Sequence, residues 1–434
     1  MIPHSWKLLL HRLKAWLACL WYRYPANTLI VIGVTGTNGK TTTVNLVTKM
    51  LEKAGHKVGL ASTINFRVDR KEWQNATHKT TLGPFQLQKL LRKMVNAGCK
   101  YAVIETSSHA LAQHRVTGVS YDVAAITNVT PEHLDYHKSM RAYRAEKIKL
   151  FENLMLGKHK RGVKKVAILN GDDQENYEYF VRHPADWKIS YGLKNKLMEE
   201  ISDQIFASDV QLFADHTDLT LRTPKEEKQL RTYLPGEFNV ENILAATAIA
   251  YSQGVGLEAV EKALKEVRLI PGRMESIDEG QNFRVYIDFA MTEDGYGKLL
   301  KTLRKTTEGK LWVVFGCCGD RDQKKRPKIG EICGALADKV IVCDDEPYTE
   351  DPSHIREMIL EGLEHSRLKK DEGFFEIPDR AKAIAFACGK AEKGDTVVVP
   401  GMGDFEGRTF ADGIRPWNER EEIRKALRTR TAAV

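Results

Sequence analysis

Short apolar runs rich in β-branched residues alternate with helical segments along most of this chain, and that alternation limits the folds open to it. In the first half the runs are TLIVIGVTG, YAVIETS, DVAAITN and KKVAILN. Buried strands separated by helices form βαβ units, in which successive strands lie parallel. A second series, with the runs FRVYIDF, LWVVFG, KVIVC and TVVVP, begins at residue 284. The sequence therefore predicts an α/β protein with a mostly parallel central sheet and a C-terminal, Rossmann-like α/β domain.

Two changes of pattern set the expected domain organisation. Between 186 and 222 apolar and polar residues alternate, which predicts antiparallel strands with one exposed face. The segment IPGR at 270–273 then interrupts a helical pattern before the second series of strands begins. We therefore expect an N-terminal helix over residues 1–27, a central domain over 28–269 and a C-terminal domain over 270–434.

Residues 5–23 predict a basic amphipathic helix. Its large apolar residues fall on one helical stripe beside basic residues, and the stripe consists of Leu9, Leu13, Trp16, Leu17 and Leu20. Two interpretations stay open: the helix packs on its own domain, or it rests on an anionic membrane surface as a peripheral contact. The apolar run is too short and too often interrupted to span a bilayer, and no small-residue cleavage site follows it.

Composition excludes several classes of protein. Of the 434 residues 42% are hydrophobic and 29% charged, which is typical of a folded globular chain. The net charge of +8 is modest and the basic residues are scattered, so no dedicated nucleic-acid surface is expected. Seven cysteines without a CxxC pair predict reduced thiols rather than zinc ligands, and hence a cytoplasmic protein.

A glycine-rich segment directly after the first strand predicts a phosphate-binding loop. It comprises Gly36, Thr37, Asn38, Gly39, Lys40, Thr41 and Thr42, and an amphipathic helix follows. In such a loop the backbone N–H groups and the helix dipole face the anion. Lys40 can then reach the terminal phosphates of ATP, and the Thr41 hydroxyl can ligate Mg²⁺.

Polar side chains follow two further strands. Glu105 ends the strand YAVIE, and Asn128 and His137 follow the strand DVAAIT. Because ligands of open α/β sheets bind beyond the carboxyl ends of the strands, these side chains should converge near the phosphate loop. The alternative is that these side chains belong to surface loops that bind no ligand. Lys147 lies in a helical segment and, judged from the residues alone, is expected to be a solvated lysine.

Seven segments together occur in a familiar order. They are GTNGKTT, ETSSHALAQHR, TNVTPEHLDYH, AYRAEK, GEFNVEN, PGRME and FGCCGDRD. In this order they resemble the Mur ligases, ATP-dependent enzymes that add amino acids to the cell-wall peptide, over about residues 28–430. The resemblance is to the branch that extends UDP-N-acetylmuramoyl-L-alanyl-D-glutamate with its third residue through an acyl phosphate.

The resemblance implies a role for each matching residue. Lys40, Glu105, His137, Lys147 and Arg273 would carry the catalysis. Thr41, Glu105, His137 and a carbamylated Lys147 would hold Mg²⁺. The nucleotide would also contact Asn242, Arg273 and Asp288. The muramoyl-dipeptide would contact Thr80, Thr81, Ser107, Gln113 and Arg115. The incoming amino acid would lie near Arg321, Asp345, Glu346, Tyr348 and Asp404. A monomer that binds only small molecules is expected.

The chain departs from the family pattern at three places. Where the family pattern has a uridine-binding domain, residues 1–27 predict only a basic helix, so the acceptor is expected to be held mainly through its sugar and peptide. Met291 stands where the family has a histidine, and a thioether cannot replace its hydrogen bond. Tyr348 replaces an arginine that would pair with the distal carboxylate of diaminopimelate. Because acidic residues surround that position, lysine or ornithine is expected as the third residue, with diaminopimelate as the alternative.

Other functions stay open at this stage. The chain could be a Mur-like amide ligase with another acceptor, such as a folylpolyglutamate or poly-amino-acid synthetase. It could also be a nucleotide-binding scaffold that has lost catalysis, or a P-loop kinase that forms no amide. Phosphate release that depends on both acceptor and amino acid would distinguish the ligases from the scaffold.

Overall fold

The computed structural model describes residues 4–77, 79–193, 201 and 203–431. Residues 1–3 of the predicted N-terminal helix therefore lie outside the described residues. So do residues 194–200 and 202 of the predicted alternating segment. The described chain forms two units. They consist of Met1–Thr130 with His137–Arg268, and of Pro131–Tyr136 with Leu269–Val434.

The first unit is built on one sheet of eleven strands within the described residues, in the order β11-β10-β9-β8-β7-β6-β1-β5-β2-β3-β4. The strands are β1 Ile30–Thr35, β2 Val58–Ala61, β3 Asn65–Val68, β4 Lys71–Gln74, β5 Tyr101–Glu105, β6 Val123–Ile126, β7 Val166–Asn170, β8 Trp187–Gly192, β9 Asp203–Leu212, β10 Thr217–Arg222 and β11 Glu227–Thr232. The predicted runs form β1, β5, β6 and β7, which pair in parallel. The predicted mostly parallel sheet is therefore confirmed.

Helices cover the sheet of the first unit. They are α1 His4–Trp21, α2 Lys40–Lys53, α3 Pro84–Asn96, α4 Ser108–Ala112, α6 Met140–Leu156, α7 Gln174–Val181, α8 Glu237–Ser252 and α9 Leu257–Glu266. The short helix α5, Leu134–His137, has its first three residues in the second unit and His137 in the first. The strands β1, β5 and β6 are buried along almost their whole length, so their side chains pack against helices on both faces of the sheet. Within the alternating segment 186–222, β9 and β10 pair antiparallel as predicted. The prediction is wrong for β8, which pairs in parallel with both β7 and β9. β11, beyond this segment, adds a further antiparallel strand to the same sheet.

A buried ion cluster fixes the amino-terminal end of β6. The carboxylate of Asp122 accepts a hydrogen bond from the N–H of Val31 at 2.8 Å and pairs with Lys160 and Lys165. Nζ of Lys165 lies 3.1 Å from Oδ1 of Asp122, and both side chains are fully buried. Because charge in the interior is costly without a partner, this cluster ties β1 and β6 to the chain that enters β7.

The second unit contains a six-stranded sheet in the order β12-β13-β17-β14-β15-β16, and a separate hairpin, within the described residues. Its strands are β12 Glu275–Ser276, β13 Arg284–Asp288, β14 Leu311–Phe315, β15 Lys339–Val342, β16 Phe374–Glu376, β17 Thr396–Pro400, β18 Gly407–Phe410 and β19 Gly413–Pro416. Its helices are α10 Glu293–Thr306, α11 Lys325–Leu336, α12 Pro352–Glu364, α13 Arg380–Lys390 and α14 Glu419–Thr431. The central strands are parallel, as predicted.

All seven cysteines are buried free thiols, in agreement with the expected reduced state. Helix α1 does dock on its own unit, but not through the predicted apolar stripe. Its buried residues are Ala15, Ala18 and Cys19, whereas the stripe is exposed. Within the described residues no helix has both the length and the apolar character needed to cross a bilayer.

Candidate active site

The phosphate loop joins β1 to α2 and is held by the carboxyl end of β6. The N–H of Asn38 donates to Oδ1 of Asn128 at 2.9 Å, and the N–H of Thr37 donates to the carbonyl of Asn128 at 2.8 Å. Nζ of Lys40 lies over the loop, donating to the carbonyl oxygens of Gly36 and Thr37 at 3.1 and 2.7 Å. The strand ends therefore converge as the sequence predicted.

Two glycines give the loop its shape. Gly36 has φ +145° and Gly39 has φ +84°, values at which a side chain would be strained. A Cβ at Gly36 would also collide with the side chain of Thr127, and one at Gly39 with the carboxamide of Asn242. Gly39 is the N-cap of α2 and carries no side chain that could cap the first N–H groups. Such a loop and helix N-terminus suit a polyphosphate.

Glu105 lies beside the first turn of α2. The hydroxyl of Thr41 lies 3.1 Å from both carboxylate oxygens of Glu105. Thr63 adds its N–H at 2.8 Å and its hydroxyl at 2.9 Å. These hydrogen bonds orient a carboxylate that is almost completely buried. The sequence interpretation missed Thr63, although it lies two residues after the end of β2, the strand that neighbours β5.

Lys147 is buried, so the expectation of a solvated lysine is wrong. Its side chain is 1% exposed, and Nζ donates to the carbonyl of Gly36 at 2.7 Å. Nζ also lies 4.1 Å from the ring centroid of Tyr143, one helical turn earlier. Lys147 shares the apolar face of α6 with Tyr143, Leu150, Phe151 and Leu154, and this spacing in the sequence could have revealed its burial.

His137 reaches this group through aromatic contacts. Its ring centroid lies 5.1 Å from that of Tyr143 and 5.3 Å from that of His109. Nε2 of His137 is 3.1 Å from the hydroxyl of Ser108, at the start of α4. Tyr143 thus contacts both the imidazole of His137 and the amine of Lys147. The sequence interpretation missed both Tyr143 and Ser108.

The residues expected at the acceptor form a connected group beside Glu105. The Thr81 hydroxyl donates to the carbonyl of Glu105 at 2.8 Å and accepts from the N–H of Ser107 at 3.0 Å. Arg115 donates to the carbonyl of Thr81 at 3.2 Å and to the side-chain oxygen of Gln113. Thr80, half-buried, precedes this group.

Two further residues expected at the nucleotide, Thr42 and Asn242, lie on α2 and α8. Nδ2 of Asn242 donates to the side-chain oxygen of Asn239 at 3.2 Å.

In the second unit, Arg273 and Asp288 lie together. The guanidinium of Arg273 stacks 4.2 Å from the ring centroid of Phe289, and Asp288 accepts the N–H of Met274 at 2.8 Å. Burial raises the pKa of Asp288, and the charge of Arg273 opposes that rise. At the neighbouring Met291 the backbone carbonyl, rather than the thioether, accepts a hydrogen bond from Nζ of Lys325 at 2.9 Å.

Of the three carboxylates expected to attract a side-chain ammonium, two have partners within the unit and the third, that of Asp345, is buried. Nη1 of Arg420 pairs with Asp404 at 2.6 Å, and Glu346 accepts from the N–H and the hydroxyl of Thr409. Burial raises the pKa of Asp345, whose Oδ1 has no hydrogen-bond partner among the described residues. The negative charge on which the preference for lysine or ornithine rests is therefore partly neutralised by Arg420 and partly buried at Asp345.

Arg321 and Tyr348 form the exposed side of this region. The guanidinium lies 4.9 Å from the ring centroid of Tyr348, and Nη2 is 3.4 Å from its hydroxyl. Burial and the neighbouring Glu346 raise the pKa of Tyr348 to about 12, so the phenol stays neutral at physiological pH. A cation is therefore present beside the tyrosine that replaces the expected arginine.

The residues of the first unit fit a magnesium ion bound with a nucleotide. Magnesium is usually held by one or two carboxylates together with phosphate and water oxygens. Glu105 and the Thr41 hydroxyl supply such oxygens next to the phosphate loop. Among the described residues no three His, Cys, Asp or Glu side chains are grouped as a metal cage.

Fold and loop define a nucleotide-binding α/β protein, and comparisons with known proteins identify its family. Residues 34–250 match the Mur ligase middle domain, and residues 272–403 match the glutamate ligase domain of Mur ligases. The UDP-N-acetylmuramoyl-L-alanyl-D-glutamate–2,6-diaminopimelate ligase of Geobacillus thermodenitrificans is 37% identical, over 96% of this chain and 83% of the relative. The enzyme of the same name from Thermosynechococcus vestitus is 40% identical, over 95% of this chain and 80% of the relative.

A solved structure of a UDP-N-acetylmuramoyl-L-alanyl-D-glutamate–2,6-diaminopimelate ligase has a TM-score of 0.62 and 30% identity. The matched region spans 93% of this chain and 79% of the chain in that solved structure. The chain belongs to the Mur ligase family, and it is an ATP-dependent ligase.

Proposed function

We propose that this ligase adds the third amino acid to UDP-N-acetylmuramoyl-L-alanyl-D-glutamate in the synthesis of peptidoglycan precursors. The observation that carries the proposal is the grouping of Lys40, Glu105 and Lys147 around one phosphate loop, in a chain 37% identical to an enzyme named for that acceptor. A scaffold that had lost catalysis would have no need of a buried lysine at this loop. Seven reduced thiols favour the cytoplasm.

The chemistry needs no nucleophile from the protein. A carboxylate oxygen of the acceptor's glutamyl side chain attacks the γ-phosphorus of ATP, the bond to ADP breaks, and an acyl phosphate forms. The amine of the incoming amino acid then attacks the acyl carbon, phosphate leaves, and the nitrogen loses a proton. Two anions approach each other in the first step, so the cations Lys40 and Arg273 are assigned to offset their repulsion.

Glu105 and Thr41 would hold Mg²⁺ beside the phosphates, with His137 near them, and the ion would neutralise charge on the transferring phosphoryl group. We also propose that Lys147 is carbamylated. Its buried amine lies at the phosphate loop, where it donates to the carbonyl of Gly36, and a carbamate there would offer carboxylate-type oxygens to Mg²⁺ in place of an ammonium group.

For the third residue we favour diaminopimelate. The acidic side chains that suggested lysine or ornithine already have partners or are buried, and both relatives described above are named for diaminopimelate. Arg321 is exposed beside Tyr348 and offers a guanidinium to a carboxylate.

The decisive assay measures ATP-dependent phosphate release with UDP-N-acetylmuramoyl-L-alanyl-D-glutamate, offering diaminopimelate, lysine and ornithine separately, with mass spectrometry of the products. We expect a tripeptide product with diaminopimelate. A product with lysine or ornithine alone would refute the assignment of the amino acid. Failure with all three, by protein that binds ATP, would refute the acceptor and favour a folylpolyglutamate-type or poly-amino-acid ligase.

Carbamylation is tested separately, by ¹³C NMR of the protein in ¹³C-bicarbonate. We expect one carbamate signal, absent in Lys147→Met and retained in the matched control Lys149→Met. Lys149 lies on the same helix but is only half-buried, and it pairs with Glu146 at 2.7 Å. A carbamate signal that persists in Lys147→Met, or none in the wild type, would contradict the modification.

A further inference from the structure

Helix α1 presents a continuous apolar surface to solvent. We call this surface the α1 face. Its members are leucines and tryptophans that are each between 44% and 76% exposed, and they are Trp6, Leu9, Leu10, Leu13, Trp16, Leu17, Leu20 and Trp21. At about 100° and 1.5 Å per residue they fill an arc of roughly 140° along about 22 Å of helix. Contiguous apolar patches of this kind on a folded protein mark a binding surface.

The opposite side of α1 is fixed to the protein. Ala15, Ala18 and Cys19 are fully buried, and the guanidinium of Arg92 on α3 donates to the carbonyls of Tyr22 and Arg23. The small inner residues allow close approach to α3 while the large residues point outward. The orientation of the α1 face is therefore set by packing, and the exposed side chains cannot turn inward without breaking these contacts.

The charged residues of α1 and of the neighbouring α3 are all basic, and the acidic side chain found near Arg12 of α1, that of Glu146 on α6, also acts on His114. Arg12 and Lys14 are exposed and, at about 100° per residue, lie on opposite flanks of the apolar arc. The sequence contains no aspartate or glutamate before Glu52. The neighbouring α3 also has no acidic residue in its sequence, and it exposes Lys89 and Lys93.

From this arrangement we propose that the α1 face binds the surface of an anionic lipid bilayer. Leucines would enter the boundary of the acyl chains, tryptophans suit the headgroup level, and basic side chains at both flanks would reach the lipid phosphates. A partner protein that bound the apolar arc in a groove would need acidic side chains placed at both flanks. An anionic bilayer carries negative charge over its whole surface and would therefore contact both flanks at once. The ligand differs from every substrate of the proposed reaction, so the two proposals stand or fall separately.

Co-sedimentation of the full chain with vesicles tests this proposal. We expect binding to vesicles of phosphatidylcholine mixed with phosphatidylglycerol, weaker binding to phosphatidylcholine alone, and loss of binding at high salt. Trp fluorescence should shift to the blue on binding, because three tryptophans leave water. Arg12→Gln with Lys14→Gln should weaken partitioning by about twenty-five-fold, since each basic residue contributes about fivefold.

The double variant Leu13→Glu, Leu17→Glu should lower partitioning by on the order of a hundredfold, because two leucines no longer enter the lipid. The matched control is Leu156→Glu, which changes an 82% exposed leucine on α6 and should bind like the wild type. Thermal unfolding establishes that each variant is folded, and light scattering gives the oligomeric state. Folded wild-type protein that does not co-sediment with anionic vesicles would overturn the proposal. So would a wild-type dimer that Leu13→Glu, Leu17→Glu converts to a monomer without vesicle binding, since a second copy would then cover the α1 face.

Discussion

Replacing Gly39 by alanine should destabilise the phosphate loop in two separable ways. The backbone of Gly39 is left-handed, with φ +84°, and a residue with a Cβ there costs about 1–2 kcal/mol. The new Cβ would also lie well inside van der Waals contact of Oδ1 of Asn242 and 3.2 Å from its Cγ. The Asn242 carboxamide must then move and give up its 3.2 Å hydrogen bond to Asn239, at a cost of about 0.5–1.5 kcal/mol.

The free energy of unfolding from urea titration should therefore fall by about 1.5–3.5 kcal/mol in Gly39→Ala. In an Asn242→Ala background the collision is absent, and the same change should cost only the backbone part, about 1–2 kcal/mol. Gly55→Ala is the matched control. Gly55 has φ +86°, and among the described residues no atom lies within 4 Å of the position of its Cβ.

The reasoning fails if Gly39→Ala costs the same with and without the Asn242 side chain. It also fails if Gly39→Ala is no worse than Gly55→Ala, because the contact with Asn242 would then contribute nothing. Binding of ADP by each folded variant, measured by calorimetry, would show in addition whether the strained loop still accepts phosphate.

Two further predictions concern stability. Asp122→Asn removes the charge that two buried lysines share and should lower the free energy of unfolding by about 3–5 kcal/mol, measured by urea titration; a loss below about 1 kcal/mol would show that the lysines find other partners. The pKa of Glu266 is lowered to about 2 by hydrogen bonds from Lys49 and Lys53 of α2. The unfolded chain therefore binds a proton before the folded one does, and this contribution to stability is present above pH 4.5 and lost as the pH falls toward 2. The urea midpoint should fall less steeply over this range in Glu266→Gln, by a small amount because the pair is solvent-exposed; equal slopes would contradict the assignment.

The parallel sheets could be predicted because burial on both faces leaves a plain mark in the sequence. β1, β5, β6 and β7 are continuous apolar runs, and no other element suits such runs next to amphipathic helices. The strands β3 and β4, at the end of the sheet, escaped prediction because they are short and mix polar with apolar residues. β3 pairs with β2, and the edge strand β4 pairs with β3, so their place follows from the neighbouring strand rather than from a pattern of their own.

The candidate site was predictable at the level of loops and strand ends, but not at the level of partners. The phosphate loop and Glu105 follow strands directly, so sequence position determines their place. The engagement of Asp404 by Arg420 depends on a helix sixteen residues further along the chain, and sequence offers no sign of it. The same is true of α1, whose large side chains gave a clear stripe in the sequence while its small residues form the packed side.

The contact between Gly39 and Asn242 has a consequence for the order in which this protein matures during synthesis. β1 lies between β5 and β6, so the strand that carries the loop gains both neighbours only after residue 126 has emerged from the ribosome. The carboxamide that packs against Gly39 arrives later still, with α8. A nascent chain thus holds an unfinished phosphate loop through more than half of its translation. Nucleotide present in the cell can stabilise the first unit only from that late stage onward.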